Sequence, residues 1–266
     1  MKNPFFSVII PTYNQCDFLK NALSSVFKQT FKKFEVIVID NYSKDKTSET
    51  IKLFKKKIIY KRIRNNGIIA KSRNLGIKLS KGKWLVFLDS DDYWSSKKLE
   101  KIYYKIKKNN IDVICHNEWI VDLENKTKKI WSYGPYESHF YKKILIYGNR
   151  NSTSASAVKK DFINKFNIFF DEKKKFVTAE DYDFFLNIAK NHGKFFFLQL
   201  PLGTHIFHKK SSSSRESRHI RSINFVLKHH VFKIQSFCED RAALWARVLE
   251  NIKIKECIFN LKDKKF

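Results

Sequence analysis

Short apolar runs alternate with segments whose apolar positions recur every three or four residues through the first hundred positions of the chain. Phe6-Ser7-Val8-Ile9-Ile10 predicts a buried strand ended by Pro11. Residues 17–27 carry Leu19, Leu23, Val26 and Phe27 at helical spacing, and Glu35-Val36-Ile37-Val38-Ile39 predicts a second strand. A helix over about 47–55, a third strand over 58–63 and a helix over 70–80 follow, the last closed by Gly82 as a C-terminal glycine. Trp84-Leu85-Val86-Phe87-Leu88 is then an uninterrupted apolar strand. This β-α-β-α-β-α-β order implies an α/β fold, with a Rossmann-like, mostly parallel central sheet flanked by helices on both faces. Ligands of such sheets collect beyond the carboxyl ends of the strands.

The middle of the chain is less regular. It predicts a strand at Val113-Ile114-Cys115, a polar bend over 149–156, a helix over 180–191 and a strand over 194–200. Four serines among many charges make 209–218 read as a mobile loop. The last fifty residues predict helices, with Leu244, Trp245, Val248, Leu249 and Ile252 on one apolar face and Arg241, Arg247 and Glu250 beside it.

Composition narrows the class. The 266 residues can bury a sizeable core, and 43% hydrophobic content excludes a disordered chain. No run approaches the roughly 18 apolar residues of a membrane span. A strand-like run directly after Met1-Lys2-Asn3 predicts no signal peptide and a cytoplasmic protein. Cys16, Cys115, Cys238 and Cys257 are scattered without metal-site spacing, so reduced structural thiols are expected. The 53 Lys and Arg against 26 Asp and Glu give a net charge of +27. That surface attracts nucleic acid, anionic lipid or phosphorylated substrates. Basic residues run the whole length of a Lys-, Ile-, Asn- and Phe-rich chain, so the charge is equally explained by genome composition.

Position is more informative than charge. Polar residues follow the predicted strands: Pro11-Thr12-Tyr13-Asn14 after the first, Asp40-Asn41-Tyr42-Ser43 after the second and Asp89-Ser90-Asp91-Asp92 after the fourth. Three carboxylates within four residues repel one another unless a cation or donors neutralise them. Hard divalent ions such as Mn²⁺ or Mg²⁺ take such oxygen ligands together with substrate phosphates. The plainer alternative is an acidic cap on a helix starting near Ser95. Asp40 can accept from a nucleobase or ribose, or simply close a turn; Tyr13 can stack on a base, or simply pack. Arg73 can grip phosphate bidentately or pair with an acid. Thr178-Ala179-Glu180-Asp181 fits a helix capping box, yet the same carboxylates suit a general base. Ser43 and Asp45 are expected as helix caps, and His208, with His205 a weaker candidate, can bind metal or phosphate.

Taken together, Ser7 to Asn14, Val36 to Asp40, Asn66-Gly67, Arg73-Asn74 and Gly82 to Asp92 stand in an order and spacing that resemble the inverting family 2 glycosyltransferases of GT-A fold, of bacterial surface-polysaccharide type. The resemblance is dense over 5–95 and looser to about 215. It implies a nucleotide-sugar donor held by Pro11, Thr12, Tyr13, Asp40, Asn66, Arg73, Asp89 and Ser90, with UDP the favoured nucleotide. It also implies a Mn²⁺ or Mg²⁺ ion on Asp91 and His208, with Asp92 nearby, and Asp181 as catalytic base beside Glu180. The acceptor would be a saccharide or lipid-linked saccharide, met by Trp131, Tyr133, Asn151 and Ser152 in the variable segment 131–156.

Three positions depart from the family pattern. Tyr42 stands where a glycine is usual, Ile206 where an Arg often precedes the late His, and Ser72 where Ala is preferred. The expected organisation is a glycosyltransferase domain over 1–215, with a nucleotide half over 1–110 and an acceptor half over 111–215. A basic helical extension over 216–266 follows, either a helix pair packed on the core or an amphipathic surface for peripheral contact with an anionic membrane. Nucleic acid is not an expected partner, because the acidic cluster would repel it. A nucleotidyltransferase would want a Gly-rich loop after the first strand, and Pro11-Thr12-Tyr13-Asn14 is not one. The remaining alternatives are a basic nucleic-acid- or membrane-binding protein, which suits the charge but leaves the acidic cluster unexplained, and an inactive, nucleotide-binding relative.

Overall fold

The computed structural model describes residues 3–208 and 216–263, the last helix by backbone alone beyond residue 254. The chain forms β1 (Phe6–Thr12), α1 (Cys16–Phe27), β2 (Phe34–Asp40), α2 (Thr47–Phe54), β3 (Ile59–Arg62), α3 (Ile69–Leu79), β4 (Trp84–Phe87), β5 (Tyr93–Trp94) and α4 (Lys98–Lys108). It continues through β6 (Val113–Asp122), β7 (Thr127–Trp131), α5 (Phe140–Tyr147), β8 (Ser156–Lys159), α6 (Lys160–Phe166), α7 (Glu180–Lys190) and β9 (Phe195–Phe207). Helices α8 (Glu216–His229) and α9 (Arg241–Asp263) complete it. The loop expected over 209–218 lies outside the described residues as far as 215, as does the side chain of Cys257.

The sheet order is β3-β2-β1-β4-β8-β6-β9-β5, with β7 paired to β6. β3, β2, β1 and β4 run parallel, and so do β6 and β9, whereas β8 is antiparallel to both of its neighbours. Side chains of a strand alternate between faces, and here both faces are covered. Ile9, Ile37, Ile39, Leu85 and Phe87 pack with α3, α5 and α7, while Val8, Ile10, Val36, Val38, Val86 and Leu88 pack with α1 and Leu99 and Ile102 of α4. This explains why the first hundred residues are legible as continuous apolar strands.

Three local expectations change. Pro11 does not end β1, which runs on to Thr12 paired with Asp40. The β4 partner stops at Phe87, opposite Ile9, so a residue without an N–H is tolerated two positions further on. Gly82 is not a helix terminator: α3 ends at Leu79, and Gly82 is absent from the left-handed positions. A Cβ there would stand 2.6 Å from the Ser7 nitrogen and Oγ, so the glycine serves the close passage of this turn against β1. Finally, β9 is longer than the predicted 194–200 strand. Register shifts around Asn117 absorb Pro201, and the strand continues to Phe207, bringing His205 and His208 to the rim of the sheet.

The C-terminal segment is part of the core rather than a free appendage. Val226, Leu227, Val231, Leu244 and Val248 are buried with the α5 and α7 side chains. His230 lies between Tyr141 Oη (2.9 Å) and Asp183 (3.0 Å), so a wholly buried polar chain ties this segment to α5 and α7. The apolar face predicted for α9 is therefore spent on packing. Among the described residues no helix is long and apolar enough to cross a membrane.

Candidate active site

The turns after β1 and β2 hold each other. Asn14 Oδ1 accepts the Lys44 N–H (2.7 Å), and Ser43 Oγ accepts the Asn14 N–H (2.9 Å). Asp45 accepts the first amide of α1, from Cys16 (2.9 Å), and the Thr47 amide opening α2 (3.1 Å). Neither it nor Ser43 occupies the expected N-cap position, which is Gln15 in α1 and Lys46 in α2. Tyr42 takes the left-handed conformation, φ 54°, in place of a glycine. Its exposed ring lies 4.5 Å from the Arg62 guanidinium and 5.3 Å from that of Arg64, contacts that offset the roughly 1–2 kcal/mol of this backbone state.

Asp40 lies beneath this loop, 1% exposed. One oxygen accepts the Ser43 N–H (2.9 Å) and hydroxyl (2.6 Å); the other accepts Tyr60 Oη (2.7 Å) and faces Arg62 Nε (3.3 Å). Its lone pairs are thereby filled, and it does not line the cavity described below. In this structure Asp40 builds the loop through these contacts. Asn66 likewise stands aside at φ 55°, and its neighbours Asn65 and Gly67 reach the cavity instead. Asn65 is pinned by Ser72 Oγ (2.9 Å) and by Gly67 N–H (2.9 Å), so Ser72 contributes a bond that an alanine would lack.

Pro11, Thr12, Tyr13, Arg73, Asp89, Ser90, Asp91 and Asp181 all line one cavity of about 890 Å³ at the carboxyl rim of the sheet. Tyr13 is 52% exposed, its ring open to stacking, while the buried Thr12 hydroxyl has no partner in the protein. Arg73, almost wholly buried, links the end of β4 to the start of α7 through Asp89 (2.8 Å) and Glu180 (2.6 Å). It is a brace between acids rather than a free phosphate grip.

The four acidic-rim residues have separate environments. Ser90 donates to Gln15, whose amide donates to Asp91 (3.3 Å). Asp91 also meets His208 Nε2 at 3.1 Å, and the His208 ring is stacked on Phe18 at 4.8 Å. Burial, then the charges of Asp92 and Asp89, push the Asp91 carboxyl up to about 6. Asp92 is buried further in. Burial raises its carboxyl, but the charge and hydrogen bond of His205 outweigh this and hold it below the usual range. Asp92 in turn raises the His205 imidazolium to about 10, against the opposing effect of burial. The Ile206 N–H completes the grip on Asp92 at 3.0 Å, so this departure from the pattern acts through its backbone.

Across the cavity, the capping box does not form. The N-cap of α7 is Ala179 with no side-chain cap bond, and Thr178 stands at φ 83°. Glu180 accepts the Thr178 amide (2.8 Å) and Arg73. Asp181 is left half-buried against the cavity. Burial and the Glu180 charge push its carboxyl up to about 7, with Arg73 opposing.

Of the expected acceptor residues, Asn151 and Ser152 line the cavity. Trp131 is on the exposed β7, and Tyr133 is turned inward, donating to Glu118 (2.9 Å). Residues the sequence did not single out include His219, Ile220, Ile223 and Leu227 of α8 and Asn251 of α9; Ile252, expected on the apolar face of α9, joins them. With Ile146 and Val177 they give one end of the cavity an apolar wall beside Asp181. Helical spacing revealed these apolar positions as a buried face but carried no sign of what they bury against.

The profile of Glycosyl transferase family 2 matches residues 7–167. An uncharacterised glycosyltransferase of Methanocaldococcus jannaschii is 30% identical over 250 residues, covering 90% of this chain and 84% of that protein. Poly(ribitol-phosphate) β-N-acetylglucosaminyltransferase TarP of Staphylococcus aureus is 41% identical over 113 residues, which span 41% of this chain and 35% of TarP. In fold the chain is similar to S. aureus TarS residues 1–349 in complex with UDP-GlcNAc, with a TM-score of 0.72 at 22% identity over 93% of this chain and 71% of that one. It is also similar to the mannosyltransferase PcManGT of Pyrobaculum calidifontis in complex with GDP-Man and Mn²⁺, with a TM-score of 0.58 at 14% identity, covering 97% and 76%. The chain belongs to glycosyl transferase family 2 and is a glycosyltransferase of GT-A fold.

Proposed function

We propose that this enzyme transfers a sugar, with inversion, from a nucleoside-diphosphate sugar to a hydroxyl of a saccharide or lipid-linked saccharide acceptor, with UDP the favoured nucleotide. The observation that supports this best is that a single cavity holds both an acidic rim suited to a metal-bound diphosphate and a carboxyl raised to about 7. TarP and TarS, whose names and ligands point to N-acetylglucosamine, make UDP-GlcNAc a first candidate donor.

A divalent ion fits the rim. Asp91 and His208 present oxygen and nitrogen donors at one point, and the crowding that raises Asp91 is what a cation relieves. Among the described residues no three acidic, His or Cys side chains are grouped to hold an ion by themselves, so substrate phosphate would have to supply further ligands. When bound, the ion would neutralise charge on the departing diphosphate. The chain's own residues do the rest. Tyr13 and Thr12 border the nucleotide end, and Arg73 fixes Asp89 against Glu180. Asp181 takes the proton of the acceptor hydroxyl as that oxygen bonds to the anomeric carbon. The bond to the diphosphate oxygen breaks in the same displacement, its electron pair leaving with the nucleotide. A base near 7 is half ionised at neutral pH and still strong enough to accept a proton. The apolar wall from α8 and α9 favours an acceptor with an apolar portion.

A panel of UDP-, GDP- and dTDP-sugars tests this by thermal shift and by hydrolysis with Mn²⁺ or chelator. Metal-dependent stabilisation and turnover by one nucleotide class is expected. Equal indifference to all of them would end the reading.

A further inference from the structure

Asn151 lies in the stretch 149–155 between α5 and β8, on the cavity wall that meets the acidic rim. It is 5% exposed, and neither its side-chain nitrogen nor its oxygen has a partner in the protein. The stretch around it is firmly held. The Ser154 carbonyl receives the buried Lys98 ammonium (2.6 Å) and the Trp94 indole N–H (3.1 Å). Ser154 Oγ receives the Asp89 amide (3.0 Å), and Ser156 Oγ donates to the Ser152 carbonyl (2.6 Å). Asn151's own amide N–H is anchored on Asn149 Oδ1 at 3.0 Å. The unmet amide is thus not slack in a loose loop.

A buried amide with both ends unsatisfied is unfavourable, so a site that keeps one in a cavity is shaped for a ligand that satisfies it. The chemistry of the two ends narrows that ligand. Diphosphate only accepts; it would meet the nitrogen and leave the oxygen stranded. Sugar hydroxyls both donate and accept, and an adjacent pair of them meets both ends of one amide. Because Ser154 touches the Asp89 amide, the wall that carries Asn151 flanks the step from diphosphate to sugar.

We infer that Asn151 is a specificity-determining residue for the transferred sugar, its side-chain amide reading ring hydroxyls of the donor. This rests on the nucleotide-sugar reading above. The test is calorimetric binding of UDP, UDP-glucose and UDP-N-acetylglucosamine, with Mn²⁺, to the full chain and to its Asn151→Ala and Asn151→Leu variants, with melting of each free protein. Wild type should bind at least one UDP-sugar. Both variants should weaken that UDP-sugar by roughly tenfold or more, since a lost hydrogen-bonding pair in a buried site discriminates at least that strongly. Their affinity for UDP should stay within about twofold, and their free-state melting temperature should be unchanged or raised, because an unmet polar group has been removed. Equal weakening of UDP and UDP-sugar, no weakening of either, or a marked fall in melting temperature in both variants would overturn the inference. Wild type that binds UDP but no UDP-sugar also overturns it; wild type that binds none of the three removes the nucleotide-sugar reading itself.

Discussion

Arg73→Met removes the guanidinium that joins Asp89 to Glu180 while keeping most of its apolar stem against Phe170. The two acids do not suffer equally. The Asp89 side chain is 30% exposed and can turn to water, whereas that of Glu180 is 6% exposed and is stranded. Breaking a buried ion pair from one side costs about 3–5 kcal/mol, and the partial exposure of Asp89 places this case near about 3. For a chain of this size that is a fall of about 6 °C in melting temperature. Arg73 also opposes the rise of the neighbouring Asp181 carboxyl, so its removal leaves that carboxyl still further above its unfolded value of about 3.9. The folded state then holds more protons than the unfolded one just above that value, so stability falls as pH rises. The melting deficit of the variant should therefore grow between pH 5 and pH 8. Arg73→Lys should be intermediate, because one ammonium cannot bridge two carboxylates as a guanidinium does. Differential scanning calorimetry at both pH values measures all of this. A deficit under 2 °C, or one independent of pH, would refute the assignment of Arg73 as the brace of the site.

Asp181→Asn should retain UDP binding within about twofold and lose transfer by about 10²- to 10⁴-fold, as expected for a general base; unchanged transfer contradicts that role. In the wild type, kcat/KM should rise with pH through about 7 as Asp181 ionises, and that limb should be absent from the residual activity of the variant. Gly82→Ala would press a Cβ to 2.6 Å from the Ser7 backbone nitrogen, and should cost about 1–3 kcal/mol, read as a fall of about 2–6 °C in melting temperature with the metal dependence unaltered.

How far the sequence carried depends on which interactions are local. Strands buried on both faces read as uninterrupted apolar runs, so β1, β2 and β4 and the polar turns after them were legible in order. Asp89 and Asp91 could therefore be nominated before any contact was known, Asp181 was nominated by the family resemblance, and all three line one cavity. The partners of Asp40 were not legible, because loop geometry, not residue type, decides which side chain meets which; Tyr60 and Ser43 hold Asp40 under the loop. Strands β5, β7 and β8 are short or half-exposed and lack a strong apolar signature. The apolar wall from α8 and α9 depends on contacts with α5 and α7 across more than thirty residues of chain, which periodicity cannot register. Even so, the face predicted for α9 was the correct one, with Leu244 and Val248 wholly buried.

The central claim is that a divalent ion and a diphosphate together complete the negative rim at Asp91. Calorimetric titration of UDP into the full chain, with Mn²⁺ and then with chelator, addresses it directly. The account predicts that Mn²⁺ strengthens UDP binding by about tenfold or more and that Asp91→Asn abolishes this gain while the protein stays folded. UDP affinity that is the same with and without the metal, or a gain that survives in Asp91→Asn, would contradict it.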